Sequence, residues 1–465
     1  MRDEGGLLWM LAAVALALLA VNITLAWVRW HRFTYQVNVE DIRVESGVLS
    51  RSARSVPYER IQDVSLEQGP LARLFGLVKV GFETGAGGKE ELSLAYLTAA
   101  EGEQLRELVR ARRNDAILPV PASADPEAHA DDAQPVLFAM SPRRVLTFGL
   151  FEFSLAVLAV LLGVTQQFDF LLPFDIWDFE AWQDRLAGPG AWLAGLGLVA
   201  QIVGGGLAIL SLLTIGFATG VVRTALREWG FTLEQTAKGF RRRRGLLTRT
   251  DVVMPAHRVQ AMRIDTRFLR RRFGWHGLKF VSLARDAGSG SHVVAPFGQL
   301  RELWPVARAA GFEEPAQAVR WHRASPHYRL DRMLVVALPP MAAAVILLAL
   351  GLEFWALAPL SLALLLAIGE WVAWRRREHA TDARQIFARR GWLAPRLDIA
   401  PRVKLQSVDF RQGPLARRHG YGTVHLGVAG GTLAIAGVTE QHARRLRHEV
   451  LTSVGEADFS SLNRP

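Results

Sequence analysis

The chain has 465 residues, half of which are hydrophobic, and it carries a formal net charge of +11. Its length predicts about three domains, and its mean hydropathy of +0.15 is high for a soluble chain of this size. The absence of cysteine excludes disulfides, thiolate zinc sites, iron–sulfur clusters and cysteine nucleophiles.

Five segments are apolar and long enough to cross a hydrocarbon core of about 30 Å. The first follows Met-Arg-Asp-Glu rather than a basic start, which favours an uncleaved anchor over a signal peptide. The loop between the second and third spans is acidic, whereas the opposite flanks carry arginines. The positive-inside rule therefore places the large soluble segments on the cytoplasmic side of a bacterial inner membrane. The predicted spans are residues 7–28, 145–164, 191–222, 333–352 and 354–374.

The soluble segments contain three copies of one pattern, which align without a gap when counted from Gly47, Gly245 and Gly391. A proline follows after ten residues, a base after thirteen, a glutamine after fifteen and a glycine after twenty-nine. Repetition at fixed spacing is typical of tandem copies of one domain. The residues are Pro57, Pro255 and Pro401; Arg60, Arg258 and Lys404; Gln62, Gln260 and Gln406; and Gly76, Gly274 and Gly420.

Each copy has the same predicted elements. A strand-like stretch comes first, at Tyr35–Val44, Gly230–Phe240 and Ala383–Ala388. Alternating apolar and polar residues then predict strands with one wet face. A final helix closes each copy; in the first, Thr98 and Glu101 have the spacing of a capping box. Short strands closed by one helix predict a small curled barrel.

The strings Gly-Val-Leu, Arg-Ile-Gln-Asp-Val and Gly-Pro-Leu, set between membrane hairpins, resemble the bacterial pleckstrin-homology (PH) family of YdbS/YdbT-like membrane proteins. The resemblance implies a multi-domain membrane protein in which α-helical spans alternate with three PH-like domains, each a curled antiparallel β-barrel with a C-terminal helix. The domains are placed at residues 30–113, 223–329 and 375–454, with an acidic, proline-containing linker at 114–140 and a disordered tail at 455–465.

Positive charge is concentrated in the second and third domains, whereas the first is neutral. The arginine runs, the first of them on a predicted turn, have two interpretations. In the first, they are topology signals that retain the domain on the cytoplasmic side. In the second, they contact anionic headgroups, and each base near the surface contributes about 1 kcal/mol of binding free energy. Nucleic acid is not predicted as a partner, because aromatic residues are not interleaved with the runs. The candidate lipid contacts are Arg241, Arg242, Arg243, Arg244, Arg270, Arg271 and Arg272.

The only charge well inside a predicted span is Glu152, which we interpret as an interhelical hydrogen-bonding group; its alternative role is in a transport pathway. Gly216 and Gly220 have the GxxxG spacing of closely packed helices. We also expect the repeated base and glutamine to fix a turn or an interdomain contact rather than to bind a ligand. The chain has no HExxH, P-loop, GxSxG or kinase motif. No catalytic residue, metal site or cofactor is therefore predicted.

The sequence thus predicts a non-enzymatic membrane scaffold or adaptor, with anionic lipid and a membrane protein as partners. The alternative is a component of a transport or export system that uses Glu152. The family resemblance implies a smaller membrane protein with a single PH domain as one possible partner. The sequence specifies no oligomeric state.

The flanking charges generate a topology prediction. Reporter fusions after Arg113, Ala318 and Leu451 should all report cytoplasm, and a fusion near Trp182 should report the opposite side. The measurement is the activity ratio of a periplasm-active and a cytoplasm-active reporter at each point. An external signal from any of the three domains would contradict the arrangement.

Overall fold

The computed structural model describes residues 16–17, 19–28, 30–46, 52–84, 92–115, 135–153, 188, 197–237, 239–286 and 289–456. The chain divides into two compact units, Met1–Asp132 with Thr250–Val253, and Ala133–Arg249 with Met254–Pro465. Gly47, parts of the first three predicted spans, most of the linker and residues 457–465 lie outside the described residues.

The first unit carries two antiparallel groups of strands and a closing helix. Its core is formed by residues such as Ile42, Phe82 and Leu94, which are fully buried. Thr98 and Glu101 form the predicted capping box, with hydrogen bonds of 2.8 and 3.2 Å in the two directions. The elements are α1 (Leu19–Val28), β1 (Thr34–Val37), β2 (Asp41–Ser46), β3 (Ser52–Pro57), β4 (Ile61–Gln68), α2 (Pro70–Leu74), β5 (Leu77–Thr84), β6 (Leu92–Thr98) and α3 (Ala99–Asp115).

The predicted single strands at Tyr35–Val44 and Gly230–Phe240 are wrong, because each region forms a hairpin. In the first region, β1 and β2 are the two arms. The turn between them is stabilised by polar contacts: the Asn38 side chain donates to Asp41 at 2.7 Å, and the Tyr58 hydroxyl donates to the Asn38 carbonyl at 2.8 Å. Such side-chain contacts to nearby groups favour a turn over continued strand.

The second repeat lies in the second unit, apart from four residues of one strand. Its seven strands are followed by a helix, the arrangement of a PH-like domain. The elements are β7 (Val136–Ala139), α4 (Pro142–Leu150), α5 (Gly197–Glu228), β8 (Thr232–Thr236), β9 (Gly239–Arg244), β10 (Arg249–Pro255), β11 (Val259–Asp265), α6 (Phe268–Arg272), β12 (His276–Asp286), β13 (Ser289–Gly298) and α7 (Leu300–Ala309).

The third repeat has the same order of elements. They are β14 (His322–Arg323), α8 (Pro326–Ala349), α9 (Glu353–Trp374), β15 (Glu378–Thr381), β16 (Gln385–Arg390), β17 (Arg396–Pro401), β18 (Leu405–Arg411), α10 (Pro414–Arg418), β19 (Tyr421–Val428), β20 (Gly431–Thr439) and α11 (Glu440–Gly455).

The second and third domains each begin before their membrane helices. Strand β7 pairs with β8, and β14 pairs with β15, so the apolar helices are inserted between the first two strands of each domain. The predicted linker at 114–140 is therefore too long at its C-terminal end, where Phe138 and Met140 are buried in the core. The continuous apolar run at 136–140, which lies between Pro135 and Pro142, is the sequence signal for this strand.

Three described helices are long and apolar enough to cross a membrane, at Ile202–Glu228, Pro326–Ala349 and Glu353–Trp374. Two of them extend beyond the predicted spans at the domain side. Helices α4 and α5 approach each other closely at glycines: a Cβ on Gly220 would lie 2.8 Å from the Gly149 carbonyl oxygen. The predicted GxxxG spacing thus coincides with a close helix contact.

The second and third domains share one seven-stranded sheet, in the order β13-β12-β11-β17-β16-β15-β14. Strands β11 and β17 join the two domains in antiparallel register, with Met262 opposite Ile399. Neighbouring residues of β17 face different cores: Ile399 packs in the core of the second domain and Ala400 in that of the third. Because side chains alternate along a strand, one sheet seals both cores.

Three imidazoles meet in the third domain, which generates a pH prediction. The ring of His379 lies 4.9 Å from that of His442 and 5.7 Å from that of His322. Burial, and then the neighbouring imidazoles, lower the pKa of His379 to about 3. In the unfolded chain His379 is protonated as the pH falls below about 6.5, whereas in the folded chain it stays neutral to a much lower pH. The stability that the neutral ring contributes is therefore present above about pH 6.5 and is lost as the pH falls.

We expect the free energy of unfolding to fall by about 2 kcal/mol more between pH 7 and 5 in the wild type than in His379→Gln. Thermal unfolding in detergent at a series of pH values measures the difference. Parallel pH profiles for the two proteins would contradict it.

Candidate functional site

A polar cavity of about 670 Å³ lies in the second unit, where α4, α5, the second domain and β17 meet. Six bases and three carboxylates line it, so the net formal charge of these groups is +3. The carboxylates are Glu152, Glu228 and Asp265, and the bases are Arg227, Arg244, Arg267, Arg270, Lys279 and Arg396.

Each carboxylate in the cavity bridges two bases. Glu228, which is 1% exposed, accepts from Arg227 at 2.7 Å and Arg244 at 3.1 Å. Asp265 lies 2.9 Å from Lys279 and 3.7 Å from Arg396.

Glu152 accepts from Arg267 at 2.9 Å and also from Arg270. It is therefore paired with the second domain, and the interpretation as an interhelical hydrogen-bonding group is replaced by an ion pair to α6.

Arg270 connects the cavity to the core. Its guanidinium lies 4.6 Å from the Phe148 ring centroid, and it is the one arginine of its run that is buried. Burial lowers the pKa of Arg270 to about 10, which the negative charge of Glu152 opposes, so the side chain stays charged at neutral pH. Its Nε is buried and has no acceptor in the described part of the chain.

Helix α6 presents an apolar tip beside this cavity. Phe268, Leu269 and Phe273 are 59%, 53% and 62% exposed, and Arg267, Arg271 and Arg272 next to them are also exposed. The ion pairs of Arg267 and Arg270 hold the tip next to Glu152, inside the second predicted span. Exposed aromatic residues flanked by arginines fit the boundary between headgroups and acyl chains.

The corresponding short helices of the other domains have similar tips. The exposed large apolar residues are Leu74 and Phe75 at the end of α2, and Leu415 in α10. The third tip is also attached to a membrane helix, since Asp331 of α8 accepts from Tyr421 Oη at 2.6 Å and lies 2.8 Å from His419 Nδ1. The second and third domains thus dock on the first helix of their own hairpin through a carboxylate.

The arginines predicted as lipid contacts occupy different environments. The run at 241–244 lies in strand β9 and not on the predicted turn. Arg242 is buried and donates to the Val293 carbonyl at 3.1 Å. Arg243 lies 3.5 Å from Glu234, and Arg244 is bound to Glu228. Consecutive side chains of a strand point to opposite faces, and an arginine on the buried face is tolerated when it is hydrogen-bonded or ion-paired.

The repeated motif residues have structural positions. Each proline ends a strand before one turn of 3-10 helix, and Gly76, Gly274 and Gly420 have φ angles of 67°, 68° and 67°, which other residues rarely adopt. Gln260 donates back to the carbonyls of its own turn, at 3.3 Å. Lys404 donates to the Val259 carbonyl of the preceding domain at 2.6 Å. This base therefore makes an interdomain contact.

Sequence reasoning missed Glu228, Asp265, Lys279 and Arg396 as partners in one cavity. Only Glu228 had a local signal in the sequence, since it stands next to Arg227 after the third predicted span. No group of three or more His, Asp or Glu in the described ranges is arranged to hold a metal ion.

Three stretches of the chain, residues 5–113, 191–303 and 333–454, match a family model described as bacterial PH domain. They cover well over half of the chain, which therefore belongs to the bacterial PH-domain family. The predicted architecture of apolar spans and three PH-like domains is confirmed, and the chain is a membrane protein.

A curated relative is the "UPF0699 transmembrane protein YdbT" of Bacillus subtilis (strain 168). It is 26% identical over 305 residues, which are 63% of this chain and 57% of the relative. The match thus spans little more than half of the relative's own length.

The ion pairs of Glu152 generate a stability prediction. Glu152→Gln leaves the buried Arg270 without its counter-charge, so we expect a loss of about 2–3 kcal/mol in the free energy of unfolding. Glu353→Gln, an exposed acid at the start of α9, is the matched control and should change little.

Thermal unfolding in detergent measures both variants. The double variant Glu152→Gln with Arg270→Met should recover part of the loss, because it removes the stranded charge. Equal stability of Glu152→Gln and the wild type would show that the pair contributes nothing.

Proposed function

We propose that the protein is a non-enzymatic scaffold of the bacterial cytoplasmic membrane, which presents its PH-like domains on the cytoplasmic side. In this proposal the cavity at the end of α5 binds the headgroup of an anionic lipid, and the tip of α6 inserts among the adjacent acyl chains. A membrane partner, such as a smaller protein with a single PH domain, would then be held beside an anionic patch of lipid.

The observation that carries the proposal is the combination of cavity and tip. The lining has six bases and three acids, and Arg227 and Arg267 have side chains 49% and 60% exposed, so both can reach a phosphate. An arginine binds a phosphate through two parallel hydrogen bonds. Attraction by the net charge of the lining decays within a Debye length of about 8–10 Å, so lipid binding should weaken with salt.

The transport alternative rested on Glu152 as an intramembrane polar site. Because Glu152 is paired with two arginines at the end of α4, it favours attachment of the second domain over a role in a pathway. The bacterial PH domains, which make up most of the chain, also support a role at the membrane surface.

The test uses the full chain in nanodiscs that contain phosphatidylglycerol or only phosphatidylcholine. Arg227→Gln with Arg267→Gln should weaken phosphatidylglycerol binding about thirtyfold, because two bases contribute about 2 kcal/mol near the surface. Lipid retained per chain, measured by mass spectrometry across a salt series, is the readout.

The matched control is Arg301→Gln with Arg308→Gln, which removes the same charge from exposed positions on α7 outside the cavity. It should retain most of the lipid. If the two double variants lose equal amounts, net charge alone explains the binding and the cavity has no specific role.

A further inference from the structure

The contact between the second and third domains supplies a template for a contact between chains. In this contact β11 of one domain pairs with β17 of the next, with Arg263 opposite Asp398. The Arg263 Nε lies 2.6 Å from the Asp398 Oδ1. Lys404 adds its hydrogen bond to the Val259 carbonyl. The contact therefore consists of a strand ladder, one ion pair and one base that caps the ladder.

The strands equivalent to these two are edge strands at the two ends of the repeat series. Counting from the repeat glycines, β18 of the third domain is equivalent to β11, and β3 of the first domain is equivalent to β17. Each ends a three-stranded sheet, β18-β19-β20 and β1-β2-β3 respectively, and carries no further strand among the described residues. An edge strand with free backbone groups readily pairs with another strand.

Both edges are exposed where their equivalents are covered. Asp409 and Arg411 of β18 are exposed, as are the first four residues of β3. Neither Asp409 nor Arg54 forms an ion pair within the described part of the chain. Solvent-exposed charges on an edge usually discourage pairing, unless the partner carries the opposite charge at the facing position.

The charges at the two edges are reversed relative to the template and complementary to each other. Asp409 stands where β11 has Arg263, and Arg54 stands where β17 has Asp398. Pairing β18 with β3 in the register of the template therefore places Asp409 opposite Arg54. Pairing β18 with β17 of another copy would instead place Asp409 opposite Asp398, and two facing carboxylates repel each other.

The capping base is also available at the end of the series. Arg60 is the equivalent of Lys404 and is exposed in the first domain. In the same register it lies next to the carbonyl of Leu405, the equivalent of Val259. An arginine donates to a carbonyl as readily as a lysine does, with additional N–H groups.

We infer that two copies of this chain associate head to tail, with β18 of one copy pairing with β3 of another. The register places Val408 opposite Ser55, Asp409 opposite Arg54 and Phe410 opposite Ala53. The contact is heterologous, because the two surfaces differ, so repetition yields a ring or a row of copies within the membrane. The interface extends the shared-sheet arrangement of the second and third domains from one chain to the next.

The absence of native cysteine allows a direct test. Arg54→Cys and Asp409→Cys are made in separate, differently tagged copies of the full chain, co-expressed and oxidised in membranes. We expect a disulfide-linked dimer that contains both tags, at a yield at least tenfold above that of a control pair. The control is Arg54→Cys with Thr432→Cys, an exposed residue on β20 at the other edge of the same sheet.

Three results would overturn the inference. They are a dimer of Asp409→Cys copies alone, an adduct of Asp409→Cys with a smaller protein in place of a second copy, and a yield no higher than that of the control. When both cysteines are placed in one chain, a ladder of multimers is expected. A single band of altered mobility would place the contact within one chain and would also overturn it.

Charge reversal provides a second measurement that does not depend on cysteine chemistry. Asp409→Arg and Arg54→Asp should each reduce the oligomeric fraction in mild detergent, measured by mass photometry. The chain that carries both changes should recover it, because the opposed charges are again opposite. Failure of the double variant to recover would mean that Asp409 and Arg54 do not face each other.

Discussion

The pairing of β11 with β17 fixes the second unit, because one sheet belongs to two cores. Asp398 is the key residue of this contact: it is 2% exposed and accepts from Arg263 at 2.6 Å, and from Arg396 and Arg390 at 3.2 Å each. A buried carboxylate is costly unless it is fully paired. A shift of one residue would separate these pairs and exchange Ile399 with Ala400 between the two cores, so the register is strongly specified.

The same use of paired charge attaches the domains to their membrane helices. Glu152 binds Arg267 and Arg270 of the second domain, and Asp331 accepts from Tyr421 of the third. Glu370 in α9 lies 3.0 Å from Arg332 of α8 and 3.4 Å from Arg377 after its own helix. Ionisable residues near a membrane are tolerated when they are paired in this way. Within the second unit, both domains are therefore attached to their membrane helices by side-chain contacts as well as by the chain itself.

Periodicity and repetition were sufficient to predict the class of fold, the three PH-like domains and the last three of the five spans, which overlap with described apolar helices. Some repeat positions have a local backbone feature that a sequence pattern can reveal, such as the positive φ of Gly274. The shared sheet was not predictable, since the pairing of β11 with β17 joins residues about 130 positions apart. The cavity was not predicted for the same reason. Glu228 and Lys279 stand in no recognisable motif, and only the folded chain brings them together.

The number of arginines in the chain therefore overstates the positive charge that is available to a membrane surface. Residues 223–329, the predicted second domain, include 21 basic and 8 acidic residues, yet Arg242, Arg258 and Arg270 are buried. A buried arginine contributes to architecture by satisfying carbonyls and carboxylates, whereas only a base near the surface attracts headgroups. For the proposed lipid contact, the relevant charge is that of the cavity and of the exposed tip beside it. Ion pairs hold the cavity and the tip next to the membrane helices, so their charge has a fixed position. The position of a charge, together with its sign, determines which surface it can recognise.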